Sequence, residues 1–186
     1  MEQQIFFFAR NGRAAHAGHM GTRREARERA LQFLFQCDIN PPEDFEAALR
    51  LFWESQQLAA AGKEQTGQAH DKPAEAPPPT PDQDALRAFA NDLIRGAWQH
   101  RGKIDVLITK HAKNWDLCRM AVVDRNILRI AIYEMLYRED IPPVVSINEA
   151  VDIAKKYSTE DSGGFVNGIL DKIRTEILRP ARIVKD

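Results

Sequence analysis

The sequence predicts an all-α fold, and three observations carry that prediction. All ten prolines fall at four breaks, Pro41-Pro42, Pro73 to Pro81, Pro142-Pro143 and Pro180, leaving segments of helical length between them. Within those segments apolar residues recur at i, i+3, i+4 and i+7, the spacing of a helix with one buried stripe. No stretch alternates as a half-buried strand would, and Pro143-Val144-Val145 is too short to be one.

Each element follows in order. Thr22-Arg23-Arg24-Glu25 has the spacing of a capping box and predicts the start of the first helix. Phe45, Ala48, Leu49, Phe52 and Trp53 make a continuous stripe on the next one. From Gln57 to Thr80 the chain turns rich in Ala, Gln and Pro, ending in Pro77-Pro78-Pro79, and reads as a flexible insertion. Thr80-Pro81-Asp82-Gln83 restarts a helix with proline in its first turn, and Leu86, Phe89, Ala90, Leu93 and Ala97 form its stripe. Val123, Ile127, Ile130, Ala131, Glu134 and Met135 read as a central, mostly buried helix. Ser146-Ile147-Asn148-Glu149 repeats the capping-box spacing ahead of Ala150, Val151 and Ala154. Phe165, Val166, Ile169, Leu170, Ile173 and Ile177 give a last long helix. The expected organisation is a disordered extension over 1–21, one domain over 22–178 with the insertion at 57–80, and a tail at 179–186.

Composition excludes several classes. Apolar residues make up 44% and charged residues 28%, ordinary for a globular domain. No apolar run reaches the roughly 18 residues that span a bilayer. With 26 basic and 27 acidic residues the net charge is −1, so any nucleic-acid contact must come from a local patch. Cys37 and Cys118 have neither zinc spacing nor a disulfide framework and suggest a reducing, cytoplasmic setting. Ile5-Phe6-Phe7-Phe8 is shorter than a secretory core, and its basic residues follow rather than precede it. Met20, just before the first helix signal, is an alternative start.

Catalytic patterns are absent. There is no His-x-x-x-His pair and no Cys-x-x-Cys, and Gly163-Gly164 lacks the strand and lysine of a phosphate loop. His16 and His19 have no further ligands at metal spacing, so neither metal nor cofactor is expected. Two stretches hold more information. Arg23 and Arg27 are i, i+4 neighbours with Arg24 beside them, at a helix start where the dipole disfavours cations. That placement fits a polyanion partner; it also fits a solvated face with internal pairs to Glu25 and Glu28. Between Tyr157 and Gly168 two aromatics flank a polar, glycine-bearing segment that could stack and hydrogen-bond unpaired bases. On periodicity alone, Phe165 reads as core and the segment as a helix-start turn.

The run of motifs resembles the NusB family. The resemblance rests on Arg23-Arg24-Glu25-Ala26-Arg27-Glu28 with Ala30-Leu31-Gln32, and on Asp124-Arg125-Asn126-Ile127-Leu128-Arg129 leading to Tyr133-Glu134. It continues through Ile141-Pro142-Pro143, Ile147-Asn148-Glu149-Ala150, Ala154-Lys155-Lys156-Tyr157, Glu160-Asp161-Ser162 and Phe165-Val166-Asn167-Gly168. It implies about seven helices in two packed subdomains and a transcription antitermination factor without catalysis or cofactor. The implied partners are boxA RNA of ribosomal RNA leaders, the small-subunit ribosomal protein NusE, and NusA, NusG and RNA polymerase. Homodimerisation of the free protein stays open. Position by position, the resemblance implies RNA contact at Arg23, Arg24, Arg27, Arg129, Tyr157, Asp161, Ser162 and Phe165. It implies a NusE-facing surface or its edge at Phe35 and Asp124.

There are departures. Glu25 stands where some members carry arginine, and Gly164 where some carry lysine. Each lost phosphate contact shallows the log–log salt dependence of RNA binding by about one unit. Two rival readings are a NusB-like domain heading a ribosomal RNA cytosine methyltransferase, which needs a further cofactor-binding domain, and a helical protein–protein adapter or homodimer without RNA binding.

Overall fold

The computed structural model describes residues 20–64, 80–112 and 116–177. The expected extension up to residue 19, the proline-rich part of the expected insertion (65–79) and the expected tail lie outside them. Among the described residues there are seven α-helices, one 3-10 turn and no strand. They are α1 (Met20–Ile39), α2 (Phe45–Glu64), α3 (Pro81–Gln99), α4 (Arg101–His111), the turn Leu117–Arg119, α5 (Val122–Tyr137), α6 (Pro143–Tyr157) and α7 (Ser162–Ile177). No described helix is long and apolar enough to cross a membrane.

The centre of the fold is α5. Ile127, Leu128, Ile130, Ala131, Ile132 and Met135 are all buried, so the helix is apolar around most of its circumference, as a helix covered on several sides must be. On one side it meets α1 and α3, which pack on each other; on another it meets α6 and α7, which do the same. Between α4 and α7 the gap is bridged by Lys110 and His111, which reach Glu176 at 2.6 and 2.7 Å. The α2 helix is fastened by aromatic side chains. Phe33 of α1 sits edge-on to Phe45 and Phe52, both at 5.4 Å between centroids, and Phe45 stacks on Trp98 at 5.0 Å. The Trp53 indole donates to Asn91 Oδ1 at 2.8 Å.

One glycine is demanded by packing. A Cβ on Gly96 of α3 would lie 1.9 Å from the Tyr133 ring of α5, so the two helices reach this separation only with a hydrogen there.

The helix starts correct two expectations and bear out a third. Thr80 Oγ1 accepts from the Gln83 amide while Gln83 Oε1 accepts from the Thr80 amide at 2.9 Å, with Pro81 in the first turn, as the spacing predicts. By contrast, α1 already begins at Met20, which places Thr22 inside its first turn instead of at the cap. Ser146 is likewise inside α6, because Pro143 starts that helix with its φ preset. Freed from capping, the Ser146 hydroxyl donates to Glu134 Oε2 at 2.6 Å. The first residues of the expected insertion are helical: α2 continues to Glu64 through Ala59-Ala60-Ala61, residues of the highest helix propensity.

Candidate nucleic-acid interface

Two segments far apart in sequence meet on one face. The first turns of α1 carry Arg23, Arg24, Arg27 and Glu28; α6 carries Glu149, Asp152 and Lys156, and ends at Tyr157. Glu28 joins them. It accepts from the Tyr157 hydroxyl at 2.7 Å and from Lys156 Nζ at 2.7 and 2.8 Å. A second bridge lies one turn back. Arg24 donates through Nε and Nη2 to the two oxygens of Glu149, at 2.9 and 2.7 Å, and again through Nη2 to Asp152 Oδ2 at 2.8 Å. The Arg24 hydrogen bonds hold the Glu149 carboxyl below its ordinary range.

The arginines of α1 have different surroundings. Arg23 and Arg24 are exposed. Arg27, expected beside them, does not face solvent: it is 4% exposed and donates to both oxygens of Glu134, at 2.8 and 3.3 Å. Glu134 is itself 1% exposed and also accepts from Ser146, so its charge is matched and hydrogen-bonded inside the protein. The ion pairs at this helix start are not the local ones expected: Arg24 and Arg27 pair with Glu149 and Glu134 on other helices, while Glu25 pairs with Arg29 and Glu28 with Lys156. The Phe89 ring lies beneath Arg23 and Arg27, each with its guanidinium 5.5 Å from the centroid.

The segment after Tyr157 is a tight polar knot. Ser162, the first residue of α7, is buried and donates through Oγ to Asp124 Oδ2 at 3.0 Å. Ser162 Oγ also lies 2.9 Å from Ser158 Oγ and 2.8 Å from Thr159 Oγ1. Asp124 Oδ1 is buried with no hydrogen-bond partner among the described residues. Asp161 is exposed on this turn; Phe165 is half-buried and packs on the core. Tyr157 is buried, and burial together with the Glu28 carboxylate pushes its phenol up to about 12.

Arg129 lies elsewhere. It forks onto Asp105 at 2.8 Å through both Nε and Nη2 and reaches Asp38 Oδ2 at 3.1 Å. Asp38 is near the far end of α1, roughly 21 Å along the helix from Arg24 at 1.5 Å per residue. Arg129 therefore braces α1, α4 and α5, and the structure does not bring it to the Arg24 face. Phe35 is buried as well.

Asp152 was not named by the sequence reading, and others were named in different roles: Glu28 as a local partner of the arginines, Ser146 as a helix cap, Glu134 and Lys156 as motif residues. The buried Glu134 had left a further signal, as an acid inside an apolar helix, which demands a buried base.

A helical protein whose two motif segments, more than a hundred residues apart, share one ion-paired face is defined as a class by that arrangement. The chain belongs to the NusB family, whose family model matches residues 24–175. The transcription antitermination protein NusB of Geobacter sulfurreducens is 44% identical over 158 residues, covering 85% of this chain and 97% of that protein. A NusB structure from T. maritima is 38% identical with a TM-score of 0.63, covering 83% of this chain and 91% of that one. A chain from the crystal structure of antitermination factors NusB and NusE in complex with dsRNA is 27% identical with a TM-score of 0.61, covering 84% and 98%. The Geobacter relative is a transcription antitermination protein, and the RNA-bound complex is one of antitermination factors.

Proposed function

We propose that this chain is a transcription antitermination adapter that binds boxA-type RNA of ribosomal RNA leaders together with NusE. In this reading it works in the cytoplasm, joins NusA, NusG and RNA polymerase, and supports processive ribosomal RNA transcription. The observation that carries it is the Glu28 bridge, which ties the basic start of α1 to Lys156 and Tyr157 at the end of α6, where the Tyr157 to Phe165 segment begins. RNA recognition needs both parts, since phosphate contacts position a strand and stacking or base-edge contacts select it.

The residues divide accordingly. Arg23 and Arg24 contact phosphates; Asp161 and Phe165 meet bases. Arg27, Tyr157 and Ser162 are positioning residues, because each is buried and bonded to a neighbour that holds the face together. Arg129 acts at a distance, by fixing α1 against α5. Phe35 and Asp124, both buried, shape the edge of a NusE-facing surface through packing. Two modest RNA-binding surfaces joined in one complex gain avidity through effective concentration.

The test is fluorescence anisotropy of a labelled boxA RNA beside a scrambled RNA at equal salt, with and without NusE. Selective binding that tightens with NusE is expected. Equal, salt-sensitive binding to both RNAs reduces the face to a generic basic patch, and no binding even with NusE favours the protein–protein adapter.

A further inference from the structure

The Arg24 guanidinium is occupied in a particular way. Its side edge, Nε with one N–H of Nη2, is taken by Glu149; the second N–H of Nη2 is taken by Asp152. A guanidinium grips a phosphate with two parallel N–H donors, from either the Nε/Nη2 edge or the Nη1/Nη2 edge. With Glu149 on the first edge and Asp152 on half of the second, only Nη1 is left for an incoming oxygen. The two acids differ in setting. Glu149 is the more buried and also lies 3.6 Å from the buried Arg27, so it belongs to the framework. The Asp152 side chain is 50% exposed and bonds only Arg24 among the contacts that define this face.

We propose that Asp152 is a specificity-determining residue: an internal competitor for phosphate that withholds the two-donor grip of Arg24 from any RNA that brings nothing but backbone charge. A ligand that also makes base contacts at the Phe165 end displaces Asp152 and gains the fork; a non-cognate strand meets a single donor beside a carboxylate. The pairing of Lys156 with Glu28 repeats the arrangement, with two of the three ammonium hydrogens held inside the protein. The inference rests on the RNA-binding reading above and adds to it the residue that suppresses non-specific binding.

The experiment compares the full chain with Asp152→Ala, Arg24→Ala and the double variant, titrated against labelled boxA and scrambled RNA at several salt concentrations. Glu46→Ala serves as a matched control, because Glu46 is equally exposed, pairs with Arg95 on the α2–α3 side, and changes net charge by the same amount. Asp152→Ala is expected to bind the scrambled RNA on the order of threefold to tenfold tighter, the net worth of one ordinary solvent-exposed hydrogen bond. The cognate RNA should gain less, so selectivity falls, and the log–log salt slope should steepen by about one unit. In the Arg24→Ala background the gain should vanish, which a general charge effect would not do. If wild type prefers boxA but Asp152→Ala behaves like wild type or like Glu46→Ala, the competitor role is overturned and the RNA-binding reading stands. If wild type shows no preference, that reading falls, while tighter Arg24-dependent scrambled binding in Asp152→Ala still supports the competitor. Absence of binding by every variant overturns both.

Discussion

Arg24 and Arg27 sit one turn apart on α1, and burial separates their chemistry. Arg27 is enclosed with Glu134 and Ser146, so Arg27→Ala strands a carboxylate away from water. It should cost about 3–5 kcal/mol of stability, measured by urea denaturation, the range expected when one partner of a buried pair is removed. Arg24 is exposed, and Arg24→Ala should cost no more than about 1 kcal/mol while weakening binding of the cognate RNA more than that of a scrambled one. A small stability loss in Arg27→Ala would contradict the buried pair. Phe165→Ala tests the opposite end of the face: loss of preference for the cognate RNA is expected, and equal loss for scrambled RNA would remove the base-stacking role. None of the three arginines could be told apart by spacing, because the residue that buries Arg27 lies 107 positions away.

At the scale of elements, the contact between α3 and α5 is set by a single missing side chain. Gly96→Ala forces a methyl into the Tyr133 ring, and the ring is hemmed in by its own neighbours, Tyr137 at 5.4 Å and His100 at 6.1 Å between centroids. The expected cost is about 1–3 kcal/mol in thermal or chemical denaturation, the usual penalty for overpacking. An unchanged midpoint would mean that the two helices can separate freely. The apolar stripes of α2, α3, α5, α6 and α7 were legible because each follows the helical repeat, and the Thr80 cap because its partners are local. Ser146 was misread for the complementary reason: capping-box spacing also occurs one turn inside a helix, where a serine bonds whichever acceptor the tertiary fold supplies.

For the molecule as a whole, carboxylates that join distant helices determine the acid limit. Burial opposes ionisation of Asp38, but four N–H groups converge on its Oδ2, from Arg125 (two), Asn126 and Arg129 at 2.7–3.1 Å, and hold it below its ordinary 3.8. Glu149 is held below its ordinary 4.5 by Arg24. A depressed carboxylate contributes stability that is full above its unfolded pKa and is lost as pH falls through the folded one. The melting temperature should therefore be nearly flat from about pH 7 to about pH 5 and drop below about pH 4, within the unfolded carboxylate range. Asp38→Asn should melt lower at neutral pH and show a shallower acid limb; a wild-type curve still flat at about pH 3 would refute the linkage.

The sequence by itself determined the helical class, the core stripes and the two motif segments, because helix periodicity and chain order are local properties. Which cations face outward was decided only by tertiary structure. Arg23, Arg24 and Arg27 present the same chemistry along the chain, and their fates differ because α5 brings Glu134 to one and α6 brings Glu149 and Asp152 to another. A charge's cost and use depend on what surrounds it, and on α1 those surroundings come from residues more than a hundred positions away.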